Sequence, residues 1–138
     1  NNISYSFYLA NILRTPSYVS SWTALQYYNL TTEAIYGVTS VTTKVTRNFS
    51  AKAGDFRYQT IKSDLFTGFD LQKDTFDFFI ASPSKALFDM LYFKTNQLRG
   101  FSVKDVGILI EELRIDFEEM HKDEQKKFHK ILNDFLND

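Results

Sequence analysis

Apolar positions along this chain change their period twice, first from helical spacing to strand alternation and then back again. Residues 4–14 place Phe7, Ala10, Asn11 and Leu13 on one side and run into Thr15-Pro16, which predicts a short amphipathic helix with a sharp stop. Ser20 or Ser21 can cap a second helix over 22–28, where Trp22, Leu25 and Tyr28 repeat at helical intervals and Asn29 supplies a stop. Thr31-Thr32-Glu33 starts a brief turn. From Gly37 the period falls to two. The β-branched run 38–45 reads as a strand, 48–50 as a second short strand, 52–55 as a turn and 56–61 as a third strand. Residues 65–70 read as irregular or edge-like, with Gly68 as a breaker. Residues 75–81 form a strand whose Phe78-Phe79-Ile80 run predicts burial on both faces.

Helical spacing then returns. Ser82 is placed to cap a helix and Pro83 fits its first position, where a missing N–H costs nothing. Ala86, Leu87, Met90 and Leu91 share one face, and Lys85 and Asp89 stand four apart on the other. Ser102 with Asp105 makes a Ser-x-x-Asp start. Val103, Val106, Ile110, Leu113, Phe117 and Met120 continue as a core stripe, weakened at Gly107 and expected to break near 114–116. A last helix spans 122–136 and buries Phe128, Ile131, Leu132, Phe135 and Leu136. That stripe can dock on the sheet or on a domain outside this chain, and the sheet is the expected place. The pattern therefore predicts one α/β (or α+β) domain over 1–138. It has a small mixed sheet of about four strands, flanking helices, and a helical subregion at 102–138.

Two stretches carry more than a pattern. Ala81, Pro83, Lys85, Ala86, Leu87 and Asp89 resemble the Ala-x-Pro-x-Lys-Ala-Leu-x-Asp signature of the AbiEi family of bacterial type IV antitoxins. Upstream, Pro16-Ser17-Tyr18-Val19-Ser20, Ala24-Leu25 and Tyr27-Tyr28 are similar to the effector half of the same family. So are Thr32-Glu33-Ala34-Ile35-Tyr36 and Val38-Thr39-Ser40-Val41-Thr42-Thr43-Lys44 with Thr46-Arg47. The resemblance covers about residues 9–91 in register and fades towards the C-terminus. It implies a non-enzymatic regulatory domain of a phage-defence (abortive-infection) toxin–antitoxin system, in which a winged helix represses its own operon. The effector domain contributes to neutralising a nucleotidyltransferase-like toxin, with no stable complex required. The chain opens on Asn1 without a methionine and nothing in it reads as a helix-turn-helix. The winged helix that contacts the DNA operator is therefore expected to lie outside this chain. An orphan transcriptional regulator without a toxin partner shares every one of these features.

Composition narrows the classes. Hydrophobic residues make up 43% and aromatic residues 17%, which excludes a disordered segment. Cysteine is absent, so no disulfide or thiolate metal site exists. No apolar run reaches the roughly 20 residues of a bilayer span, so a soluble, cytoplasmic protein with no membrane partner is expected. Net charge is −1, but residues 1–63 hold six Lys/Arg against two acids while the remainder holds ten against fifteen.

Chemistry is sparse. His121 and His129 stand two helical turns apart, roughly 12 Å, too far to share a metal. No nucleophile elbow, phosphate loop or dinucleotide fingerprint is present. Glu111-Glu112 and Glu118-Glu119 lie among lysines and arginines and read as solvated faces. Asp55 before Arg57, and Asp77 before Lys85, come near the pattern of a metal-dependent nuclease without forming its acid-x-Lys triplet. No cofactor and no catalytic residue is expected. The remaining candidate is a basic hairpin over 39–62. It bears Lys44, Arg47, Lys52, Arg57 and Lys62 among Thr42, Thr43, Thr46 and Tyr58, a set suited to RNA or DNA phosphates. The same charges would also keep an exposed sheet edge soluble. Likewise Lys85–Asp89 reads as a surface ion pair or as a functional part of the signature, and a strand–helix packing role explains the residue types nearly as well.

Overall fold

The computed structural model describes residues 3–137, so residues 1, 2 and 138 of the expected domain lie outside the described residues. In chain order the elements are α1 (Ile3–Leu13), β1 (Ser17–Val19), α2 (Ser21–Tyr27), β2 (Val38–Thr42), β3 (Phe49–Ala51) and β4 (Gly54–Thr60). They continue with β5 (Phe69–Gln72), β6 (Phe78–Ala81), α3 (Pro83–Lys94), α4 (Val103–Glu112) and α5 (Lys122–Leu136). Short 3-10 turns at Ser63–Leu65 and Phe117–Glu119 complete the set. The result is a single α/β domain with a helical C-terminal portion.

The sheet is mixed and has six strands, in the order β3-β4-β2-β1-β6-β5. β2 runs parallel to β4, and β1 parallel to β6; the other neighbours are antiparallel. Two strands exceed the expectation. β1 is only three residues long, and β5, with exposed Asp70, Leu71 and Gln72, is an edge strand where an irregular or edge-like segment was expected. The basic hairpin also needs correcting. Its two long strands are parallel neighbours, and β3 folds back on the outer side of β4.

Register fixes the faces. Ser40 pairs with both Val19 and Tyr58, so these residues share a face, and the Tyr58 hydroxyl donates to the Ala10 carbonyl of α1 at 2.6 Å. Tyr18 pairs with Val41 on the opposite face and reaches Asp89 of α3. The sheet therefore lies between α1 and the α2–α3 layer. β6 is not buried on both faces: Phe78, Ile80 and Ala81 are buried, but Phe79 is 42% exposed. At Phe79, Asn11 of α1 stands in for a missing strand. Its amide oxygen accepts from the Phe79 N–H at 2.7 Å and its amide nitrogen donates to the Phe79 carbonyl at 3.4 Å.

The stripe over 103–120 breaks where expected, with Arg114 at positive φ after α4. Ser102 and Asp105 form the full capping box. Val103 is half exposed rather than core. The last helix docks on α3 rather than on the sheet. Phe135 meets the rings of Phe88 and Tyr92 at 5.4 and 5.7 Å, and Glu124 Oε1 accepts the Ser84 N–H of the first turn of α3 at 3.1 Å. An anion there complements the helix N-terminus. Burial raises the Glu124 carboxyl, but Ser84 and then Lys127 more than offset it and hold it below the ordinary carboxylate range.

Candidate functional site

α3 is buried over Ser84–Tyr92 because α2, α5 and the sheet enclose it. Lys85 and Asp89, expected on an exposed face, are 2% and 0% exposed. A four-residue spacing puts both polar groups on one side of the helix, and that side faces the protein. Lys85 Nζ stands 2.8 Å from Asp89 Oδ1, and it donates to the Tyr18 hydroxyl at 2.8 Å and to the Leu65 carbonyl at 2.7 Å. The ammonium is thus held by two hydrogen bonds and one ion pair. Asp89 Oδ2 accepts from Tyr18 and from Ser20, both at 2.8 Å. Every group facing Asp89 is a donor, so the geometry suits the carboxylate form. Burial nonetheless raises its carboxyl above the usual range, with Lys85, Ser20 and Tyr18 pulling in the opposite sense.

Two details show how local structure serves this cluster. Ser20 stands at the N-cap position of α2 but does not cap it, because its hydroxyl is committed to Asp89. Ser82 does cap α3, accepting from the Lys85 N–H, and Pro83 takes the first position as expected. Gly68 lies against the lysine stem at φ +77°, where a Cβ would come within 2.7 Å of Lys85 Cγ. A cleft of about 500 Å³ opens beside the lysine stem, lined by Gly68, Phe69, Ser82 and Lys85 together with Lys127 and Ile131 of α5.

The remaining signature residues also hold the frame. Thr39 binds α2 through its backbone, its N–H donating to Thr23 Oγ1 and its carbonyl accepting from Ser20. The Thr42 hydroxyl donates to the Pro16 carbonyl at 2.7 Å. Thr43 is exposed beside Lys44.

The five expected basic residues are exposed and do not converge on one point. Lys52 sits at the β3–β4 turn and Lys62 just beyond the other end of β4, with seven strand residues, roughly 23 Å, between. Arg57 alternates away from Phe56 and Tyr58. Arg47 lies 5.3 Å over Phe49, whose ring meets Tyr58 on the other face. The two arginines therefore straddle the outer edge of the sheet. Lys44 follows β2, where its carbonyl accepts from Thr60 Oγ1. Sequence reasoning missed Arg14, whose guanidinium donates to the Val45 carbonyl at 2.8 Å and joins this cationic edge. Only the fold brings it there. None of these six cations forms an ion pair among the described residues, and Asp55 is held by Ser50.

Asp77 pairs with Lys73, not with Lys85. His121 caps α5 through its own ring nitrogen, and His129 packs on Phe117 and Phe128. Among the described residues no three His, Asp or Glu side chains gather as metal ligands. Nor is any helix long and apolar enough to cross a membrane.

Against known proteins, the chain matches no family model, no curated protein and no solved structure. The AbiEi resemblance therefore rests on the quoted residues alone.

The cluster has a readable titration. Burial, followed by the charge of Asp89 and its hydrogen bond, pushes the Tyr18 hydroxyl far above the phenol range. Burial also raises Tyr28, and it pushes Tyr58 up to about 12. A raised folded value favours the folded state while the unfolded phenol is protonated. That stability is present below about pH 10 and lost as pH climbs towards the folded values. The thermal midpoint should fall steeply above about pH 10. Tyrosinate absorbance should show a fraction of the eight tyrosines ionising only as the fold melts. Reversible ionisation of all eight at an ordinary value, in folded protein, would contradict these positions.

Proposed function

We propose that this domain is the effector half of an AbiEi-like antitoxin, non-enzymatic, contributing to neutralisation of a nucleotidyltransferase-like toxin. One observation carries the reading. Of the two stretches on which the resemblance rests, 16–47 and 81–89, residues 16–20 of the first meet the second in one cluster, Tyr18 and Ser20 on Lys85 and Asp89. They form a single interlocking unit, as expected if both belong to one family signature. The signature then specifies the frame, and neutralisation falls to the surface it holds. Operator binding belongs to a winged helix outside this chain.

The test is co-expression with the neighbouring nucleotidyltransferase-like gene, scoring growth for this domain and for a version joined to its winged helix. Rescue by the domain alone supports the reading. Toxicity that neither version relieves overturns it, as does the absence of any toxic neighbour, which would leave an orphan regulator.

A second reading has its own observation: six cations without acidic partners along the outer sheet edge and its loops. They suit the phosphate backbone of RNA or DNA. Binding should weaken with salt at a slope of about −0.9 per phosphate neutralised on duplex DNA, or about −0.7 on single strands. Arg47→Ala with Arg57→Ala should flatten the duplex slope by about 1.8. An unchanged slope in fluorescence titrations would remove the sheet edge from the interface.

A further inference from the structure

α4 and α5 leave a groove of about 490 Å³ between them, with residues 115–119 forming a third wall. Ile110, Phe128 and Leu132 line it from the core side, and Val103 stays 43% exposed. Gly107 deepens it: a Cβ added there would meet no atom within 4 Å. The polar rim has one sign. Glu111, Asp116, Glu118 and Glu119 surround the opening, and among the described residues only Glu118 has a cationic partner, Lys122 at 3.6 Å. Among the described residues the one other titratable group lining the groove is His129, whose ring packs on Phe117 and Phe128.

We propose that this groove docks a basic amphipathic helix of a protein partner, its apolar face in the groove and its Lys/Arg residues against the acidic rim. An apolar channel between two helices is the form that receives a helix. Charge complementarity selects the cationic kind and repels nucleic acid and acidic peptides. The site lies on different elements from the basic sheet edge and is independent of the antitoxin reading.

A fluorescein-labelled Leu/Lys amphipathic helical peptide is the probe, with its Leu/Glu counterpart as control, followed by anisotropy on the full chain. Saturable binding of the Lys peptide only is expected, weakening as salt rises. Gly107→Leu fills the groove while favouring the helix, so the fold survives and the thermal midpoint should not drop. It should weaken binding at least about tenfold. Glu111→Lys with Glu119→Lys should weaken it several-fold. Absence of saturable binding overturns the proposal. So does binding that responds to the charge reversals but not to Gly107→Leu, which would mean surface attraction alone. Self-association without peptide that Gly107→Leu abolishes would assign the groove to a second copy and equally overturn it.

Discussion

Replacing Lys85 with methionine should cost the domain about 3–5 kcal/mol, because it strands a carboxylate in a dry interior. Asp89 is fully buried, and among the described residues Oδ1 meets no cation except the ammonium. Tyr18 and Ser20 still donate to Oδ2, but two neutral hydroxyls do not replace a charge. Asp89→Leu should cost about as much by stranding the lysine. The double variant Lys85→Met/Asp89→Leu should be far less unstable than the two losses added, since neither charge is left unpaired. It will not be neutral: the Leu65 carbonyl and the Tyr18 and Ser20 hydroxyls lose partners, at about 1–3 kcal/mol for each left unsatisfied. Adding Tyr18→Phe should recover part of that. Urea midpoints measure all of this.

A pH series sharpens the test. With Lys85 gone, the folded value of Asp89 rises further above that of an unfolded aspartate, about 3.9. A raised carboxyl favours the folded state below the unfolded value and loses that advantage as pH rises. The deficit of Lys85→Met should therefore be smallest near pH 4 and grow towards neutrality. A deficit that is independent of pH, or strictly additive losses in the double variant, would mean the pair is not charged as described.

Why this pair was misplaced from sequence is itself physical. Spacing of four is the same whether a helix face meets water or protein, so it could not separate a surface pair from a strand–helix packing role for Lys85–Asp89. A better signal was present. Phe88 and Tyr92 stand three and seven residues beyond Lys85, on its own face, and an exposed stripe would not carry two large aromatics. The partners were harder to find. Tyr18 lies 71 residues from Asp89, in a strand of three residues, too short for alternation to reveal.

Elsewhere the pattern was read well where it was long. The span of α5 matches the expectation to the residue, and the chain breaks after α4 near 114–116 as expected, although the apolar stripe runs on through the break. Strand existence in 38–61 was legible from β-branched composition, but strand order was not. Nothing local tells β4 to pair in parallel with β2 while β3 takes the outside; the β2–β4 pairing joins residues distant in sequence. The basic residues were individually obvious, yet their arrangement along an edge, with Arg14 added, follows only from that order. The apolar stripe of α5 also could not name its own dock. A stripe reports that something covers it, and here the cover is another helix.

That contact supplies the second large effect. Phe88→Ala should destabilise the domain by about 3–5 kcal/mol, the range for truncating a buried aromatic without collapse of the cavity. Phe88 is fully buried in α3, stacked on Tyr92 at 5.9 Å, edge-on to Phe135 of α5 at 5.4 Å, and 5.9 Å below the Lys85 ammonium. It thus touches both the polar cluster and the last helix, and no neighbour can move in without disturbing one of them. Phe135→Ala should cost less, because Phe135 is half-buried and water can fill its place. The two losses should not add. They share an aromatic contact of about 0.5–1.5 kcal/mol that is lost only once in the double variant. Hydrogen exchange separates the consequences: Phe135→Ala should loosen α5 alone, whereas Phe88→Ala should lower protection in α3, α5 and the β1–β2 pair together. Were Phe135→Ala the costlier change, or were α5 to exchange independently of α3 in Phe88→Ala, the C-terminal helix would not be anchored through this ring.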